Sequence, residues 1–138
     1  MKYSTLTGGA ALVLALASAN HAAAAGLDGS SNVLCATQKV VACLDGTRCM
    51  QGGPKEFDVP TFLLVDVKKK VVRSHKNGGS DAESPIRNMD KTDKQVILQG
   101  VEEHRGWTLA VDRADGSMSL TTVGADVDIL IFGACTAI

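Results

Sequence analysis

The chain has 138 residues and a formal net charge of −1 at pH 7. This near-neutral balance argues against nucleic-acid or anionic-membrane binding, because both favour a marked excess of basic side chains. The first 25 residues have the organisation of a secretory signal peptide, in which Lys2 precedes an apolar stretch that ends in small residues. We expect cleavage after Ala25, with Ala24 as the alternative.

Removal of this segment leaves residues 26–138, which suffice for one domain and not for two. The 13 basic and 15 acidic side chains of this mature chain give a net charge of −2. The apolar stretch of the signal segment is shorter than the ~20 residues that a membrane span requires. The first cysteine, Cys35, follows Leu34 and not the small residue that lipid attachment requires. We therefore expect a periplasmic or secreted protein that does not span the membrane.

The first half of the mature chain has the pattern of short β-strands. Residues 33–44 are rich in β-formers and run into an Asp-Gly step that indicates a turn. A second strand returns over 47–51. A third is predicted over 58–67, with Pro60 at its start or on a sheet edge, because proline cannot donate a hydrogen bond to the ladder. Three lysines then indicate a solvated turn before a strand at 71–74.

The second half continues this pattern after a polar loop over 75–83. Strands are predicted from residue 84 onward and over 95–102, 106–113, 118–123 and 127–135, with an Asp-Gly hairpin step at 115–116. No stretch has a convincing helical period. About eight strands spaced roughly ten residues apart are typical of antiparallel β-folds. We predict an all-β domain, a small antiparallel barrel or sandwich of about eight strands tied by disulfides.

Four cysteines in an exported chain predict two disulfides. A three-residue loop over 45–47 would place Cys43 opposite Cys49, within disulfide range. A structural zinc site needs further ligands at suitable spacing, and a thioredoxin-type centre needs Cys-x-x-Cys; the sequence has neither. The remaining pair, Cys35 and Cys135, would join the first strand to the last, which are neighbours in a closed sheet. In an open sheet, Cys35 pairs instead with Cys43 or Cys49.

Few residues suggest a functional site. The candidates for binding are His75 in the polar loop, Glu103, His104 and Arg105 in a turn, and Trp107 just beyond it. Glu102, Glu103 and His104 could form a metal or acid–base cluster, but we favour a solvated turn, because adjacent strand residues point to opposite faces. Trp107 is more typical of a core anchor.

The hypothesis that follows is a binding or interaction module that is not an enzyme and has no metal or cofactor. Its binding mouth would be built from loops 75–83, 101–106 and 124–127. Its partner would be a small ligand or an envelope or extracellular protein, and the chain would be a monomer or weak dimer. The alternative is a small metal-dependent hydrolase in which His75 and His104 meet carboxylates in a cleft.

Several segments resemble a group of small exported proteins of Gram-negative bacteria whose activity is uncharacterised. The resemblance covers roughly residues 33–136 and rests on the cysteine pattern and on "FDVPTFLLVDVKKKVV", "ESPI", "ILQGVE", "RGWTLAVD", "DGSM" and "FGACT". It implies a shared fold and export. A weaker, architectural likeness is to periplasmic inhibitors of c-type lysozyme, which are also exported, disulfide-tied β-barrels. Their inhibitory loop carries a Ser-Gly-x-x-Tyr type motif, whereas residues 26–138 contain no tyrosine.

Overall fold

Antiparallel strands form almost all of the regular structure. The protein is represented by a computed structural model that describes residues 26–74 and 81–138. The strands in these residues are β1 (Val33–Leu44), β2 (Arg48–Gly52), β3 (Phe62–Asp66), β4 (Val71–Ser74), β5 (Ala82–Lys91), β6 (Gln95–Glu102), β7 (Arg105–Asp112), β8 (Ser117–Val123) and β9 (Val127–Ala137). A 3-10 helix (Pro54–Phe57) lies between β2 and β3.

The long first strand closes the sheet into a barrel. Along one edge β1 pairs with β9, and along its other edge it pairs with β3 near its start and with β2 near its end. Each strand from β3 to β8 pairs with the next strand in the chain. Eight strands therefore form a closed antiparallel barrel, and β2 is an additional strand beside the second half of β1. The predicted fold class is confirmed, as a barrel and not a sandwich.

Both predicted disulfides are present. Cys43 lies opposite Cys49 in the β1–β2 ladder, with Leu44 opposite Arg48, as the three-residue loop requires. Cys35 lies opposite Cys135 in the β1–β9 ladder and is fully buried. The second disulfide thus crosslinks the two strands whose pairing closes the barrel.

Two strand boundaries differ from the sequence prediction. The third strand begins at Phe62 and not at residue 58, because the 3-10 helix and the left-handed residue Asp58 occupy the preceding segment. β5 begins at Ala82, inside the predicted polar loop. Glu83 there faces solvent opposite Arg73, and its carboxylate accepts a hydrogen bond of 2.9 Å from the guanidinium, which raises the pKa of Arg73. This cross-strand ion pair makes a polar sequence compatible with a strand.

The segment that precedes β1 closes one end of the barrel. Leu27 is only 2 % exposed and packs among the inward-facing side chains of the strands around it. The Asn32 side chain accepts a hydrogen bond from the backbone of Val67, and the Lys91 ammonium donates one to the Gly29 carbonyl. Only about 20 Å³ of space remains beside Leu27. In the part of the chain that the structure describes, no helix is long and apolar enough to cross a membrane.

The two disulfides should contribute unequally to stability. The barrel disulfide joins residues 100 positions apart, and the hairpin disulfide joins residues 6 apart. In the chain-entropy model, this difference in loop length makes the barrel disulfide more stabilising than the hairpin disulfide by about 2 kcal/mol in the free energy of unfolding. We expect Cys35→Ala with Cys135→Ala to lower the free energy of unfolding, measured in urea, by at least that much more than Cys43→Ala with Cys49→Ala. An equal or smaller loss from the barrel pair would contradict this expectation.

Candidate functional site

The other end of the barrel contains a cavity of about 90 Å³ that opens between the strand ends. The β1–β2, β6–β7 and β8–β9 turns lie at this end, as does the connector between β2 and β3. We call it the open end. The residues that line the cavity come from β3 to β8 and are Leu63, Val72, Ser74, Ala82, Ser84, Glu102, Trp107, Leu109, Leu120 and Thr122.

The cavity combines an apolar interior with polar groups near its entrance. Leu109 and Leu63 are buried inward-facing residues, with 1 % and 6 % of their surfaces exposed. Glu102 is the last residue of β6 and is exposed. Inward-facing residues alternate along each strand. Those in the middle of a strand lie deeper in the barrel than those at its end, so Leu63 and Leu109 lie deeper than Glu102. The arrangement can accept an apolar group and place polar atoms around the point where that group enters.

Trp107 belongs both to the core and to the cavity wall. Its indole is 7 % exposed, and its Nε1 donates a hydrogen bond of 2.8 Å to the Ser84 hydroxyl. Gly100 lies opposite on β6, where an added Cβ would stand 2.3 Å from the indole Cζ2 and 2.5 Å from the Pro85 carbonyl oxygen. The indole therefore lies directly against the β6 backbone, and the absence of a side chain at Gly100 makes this possible.

Thr122 supplies an unsatisfied polar atom in the cavity wall. Its Oγ1 is buried and has no hydrogen-bond partner within residues 26–74 and 81–138. Leaving a buried hydroxyl unpaired costs about 1–3 kcal/mol, so such atoms are rare unless something else binds them. A guest with a hydrogen-bonding group could satisfy this atom. Thr37 has a similar unpaired hydroxyl but does not line the cavity.

The β6–β7 turn has an unfavourable backbone conformation. Glu102 pairs with Arg105, which leaves Glu103 and His104 as a two-residue loop with φ values of 45° and 75°. Loops of this kind favour Asn-Gly, because both residues must adopt positive φ. A non-glycine residue in the left-handed region costs about 1–2 kcal/mol. Strain of this kind tends to occur at functional sites, and here it lies at the open end.

The structure brings four of the five candidate binding residues to this end. Glu103 and His104 are exposed in the turn, and the half-buried Arg105 lies over Gly124, where an added Cβ would stand 3.1 Å from the Arg105 Cγ. Trp107 lines the cavity, and His75 lies outside the described residues. In the described part of the chain, no group of three or more His, Cys, Asp or Glu residues could hold a metal ion.

Sequence analysis did not identify Thr122 or Ser84 as parts of a site, and it considered Glu102 only as a member of the metal or acid–base cluster at the β6–β7 turn. Met118, Leu120 and Thr122 alternate on one face of a strand, and a polar residue at the end of this apolar alternation is a signal for Thr122. Ser84 carries no such signal. Its role depends on a contact with Trp107, which is 23 residues away in sequence.

A second depression lies on the outer surface of the same wall. It has a volume of about 450 Å³ and lies over Gly100 and Gly106, between the exposed side chains of Val101 and Val123. The polar side chains along it bond to one another: Asn88 donates to Gln99 at 3.1 Å, and Gln99 donates to Thr108 at 3.5 Å. Because these three side chains already bond to one another, they are less available for hydrogen bonds to a ligand. The internal cavity is therefore the better candidate site.

Comparison with known proteins gives no match for this chain among protein-family models, curated proteins or solved structures.

The contact between Gly100 and Trp107 can be tested with a matched pair of substitutions. Gly100→Ala should lower the free energy of unfolding by about 1–3 kcal/mol, because the new methyl group must displace the indole or the Pro85 backbone. Gly106→Ala should leave stability unchanged or raise it by up to about 1 kcal/mol, since nothing lies within 4 Å of its Cβ position. Denaturant unfolding followed by fluorescence measures both, because Trp107 is the only tryptophan. Similar losses from both variants would contradict the assignment.

The strain in the β6–β7 turn predicts a gain in stability on substitution. Glu103→Asn with His104→Gly should raise the free energy of unfolding by about 1 kcal/mol, because the new residues tolerate positive φ. Thermal unfolding followed by circular dichroism measures the effect. The control is Ala125→Asn with Asp126→Gly in the β8–β9 turn, where neither residue has positive φ and no gain is expected. Equal gains in both turns would show that the strain is not responsible.

Proposed function

We propose that the protein is an exported, non-enzymatic binding protein of the bacterial envelope, and that its open end receives a small apolar group. The observation that carries this proposal is the cavity itself, which has largely apolar walls and includes among its lining residues Thr122, whose buried hydroxyl is unpaired within the described residues. Export is supported by the signal-peptide pattern of residues 1–25 and by two disulfides, which persist in oxidising compartments.

The size of the cavity limits the guest. Clefts that enclose drug-sized ligands usually measure about 300–1,000 Å³, and an engineered cavity of about 150 Å³ holds benzene. At about 90 Å³, the cavity at the open end suits a group the size of one aliphatic side chain. The guest is therefore a small fragment, or one protruding group of a larger partner.

The lining residues favour binding over turnover. Catalysis of proton or acyl transfer needs titratable groups and nucleophiles in contact with one another. Among the described lining residues Glu102 is the one titratable side chain, and no described histidine, lysine or cysteine accompanies it. The Ser84 hydroxyl bonds to the Trp107 indole, and no hydrogen bond within the described residues joins Ser74 or Ser84 to the Glu102 carboxylate.

The proposal is tested by titration with 3-methyl-1-butanol, whose branched tail has the size of a leucine side chain. Binding should change the Trp107 fluorescence and shift the amide NMR signals of cavity residues, with a dissociation constant in the millimolar range. Ala82→Phe should abolish both changes, because Ala82 lines the cavity and the larger side chain fills it. The matched control is Ala134→Phe on the exposed outer face of β9, which should bind normally. Absence of binding to the unaltered protein would overturn the proposal.

The unpaired hydroxyl provides a separate prediction. Thr122→Val keeps the shape of the side chain and removes the unsatisfied atom, so it should raise the free energy of unfolding by about 1 kcal/mol. The same substitution should weaken binding of 3-methyl-1-butanol, whose hydroxyl would lose its partner. Thr121→Val, on the exposed face of the same strand, should change neither quantity. Urea unfolding measures the change in stability, and the NMR titration measures the change in binding. If Thr122→Val changed neither quantity, the role assigned to the Thr122 hydroxyl would be wrong.

A further inference from the structure

Charged side chains are distributed unevenly between the two ends of the barrel. At the open end, the described residues include eight acidic side chains and three basic ones. The acidic ones, all exposed, are Asp45, Glu56, Asp58, Asp81, Glu102, Glu103, Asp126 and Asp128, and the basic ones are Arg48, Lys55 and Arg105. At the closed end, the six acidic side chains are Asp28, Asp66, Asp90, Asp93, Asp112 and Asp115, and the six basic ones are Lys68, Lys69, Lys70, Lys91, Lys94 and Arg113. Arg87 lies midway along β5 and lines the outer depression beside Val101 and Val123.

This asymmetry creates a negative rim around the cavity. Among the described residues, eight acidic against three basic side chains give the open end a formal charge of −5, whereas all described residues together, with 15 acidic and 12 basic side chains, carry −3. A concentration of one sign of charge around a cavity attracts partners of the opposite sign and repels those of the same sign. Glu102 belongs to both features, because it lines the cavity and contributes to the rim.

The rim also contains exposed apolar surface. Val101 and Val123 are 56 % and 59 % exposed and lie on either side of Gly106 in adjacent strands. Protein interfaces typically combine an apolar anchor in a pocket, neighbouring apolar contacts and a polar or charged rim. A free small molecule that fills a cavity of about 90 Å³ would not touch most of these charges or either valine. A protein segment anchored in the cavity is long enough to reach several of them at once.

We infer that the open end binds a basic protein segment, in which one aliphatic side chain enters the cavity and flanking lysine or arginine side chains contact the acidic rim. The inference rests on the proposed binding function and specifies its partner. Leucine, isoleucine and valine side chains have the size that the cavity accepts. The long basic side chains beside them can reach several of the rim carboxylates, and their charges match the sign of the rim.

Three short peptides test the aliphatic anchor and the basic flanking residues separately. The first, acetyl-Lys-Lys-Leu-Lys-Lys-amide, carries both the aliphatic anchor and the basic flanks. The second replaces the four lysines with glutamates, and the third replaces the leucine with serine. At about 10 mM salt we expect the first peptide to bind at least tenfold more tightly than either of the others, as measured by Trp107 fluorescence and NMR. The advantage over the glutamate peptide should shrink as salt is raised to about 500 mM, because exposed charges are then screened.

Variants of the protein test whether the carboxylates of the rim, and not those of the closed end, strengthen peptide binding. Asp126→Asn with Asp128→Asn, two exposed rim residues that do not line the cavity, should weaken binding of the lysine peptide about three- to tenfold and leave binding of 3-methyl-1-butanol unchanged. The control, Asp90→Asn with Asp93→Asn, removes the same number of carboxylates from the closed end and should affect neither ligand. Equal weakening by both pairs would show that net charge acts, and not the rim.

The possible results distinguish failure of this inference from failure of the proposed function. If 3-methyl-1-butanol binds and the glutamate peptide equals or exceeds the lysine peptide, the cavity accepts apolar groups but the basic partner is wrong. If the serine peptide binds as well as the leucine peptide, the rim acts without the cavity and the anchor is wrong. If neither the alcohol nor the lysine peptide binds, the proposed function itself fails.

Discussion

The pairing of β1 with β9 holds the rest of the structure in place. Eleven residue pairs join these strands, and the buried Cys35–Cys135 disulfide crosslinks them near the closed end. Without this pairing, the other strands would form an open sheet with two bare edges and no enclosed interior. The cavity at the open end exists because the sheet returns on itself, which brings β3 and β8 to the same interior space.

Closure produces two ends with different properties. The segment before β1 fills one end with Leu27 and hydrogen-bonds to its strands, so that end is part of the core. At the other end the inward-facing positions finish in smaller or polar residues, such as Ala82 and Thr122, and space remains between them. The unpaired hydroxyl and the strained β6–β7 turn both lie at this end. Of the five described non-glycine residues with positive φ, Asp45, Asp58, Glu103 and His104 lie at this end, and Lys70 lies at the other. Such backbone conformations reduce stability.

The fold could be predicted from the sequence because it depends largely on local signals. Strand alternation and Asp-Gly turns indicate the hairpins, and the spacing of Cys43 and Cys49 fits a three-residue loop. The cavity could not be predicted, since its residues come from six strands and their grouping depends on where the barrel closes. The turn at Glu103 and His104 was predicted, but its positive φ values were not, because neither residue type signals them. Gly100, within an apolar strand, did carry a signal of close backbone approach, but the sequence did not show that Trp107 was its partner.

The first and last described residues, Gly26 and Ile138, both lie at the closed end. An added Cβ at Gly26 would stand 2.7 Å from the Ala137 side chain, and the Ile138 amide donates a hydrogen bond to the Asn32 carbonyl. Ile138 is 66 % exposed and can carry an attached group without disturbing the core. A linker or affinity tag attached at Ile138 would leave the barrel on the side opposite the acidic rim. A protein immobilised through such a linker would therefore present its open end to solution.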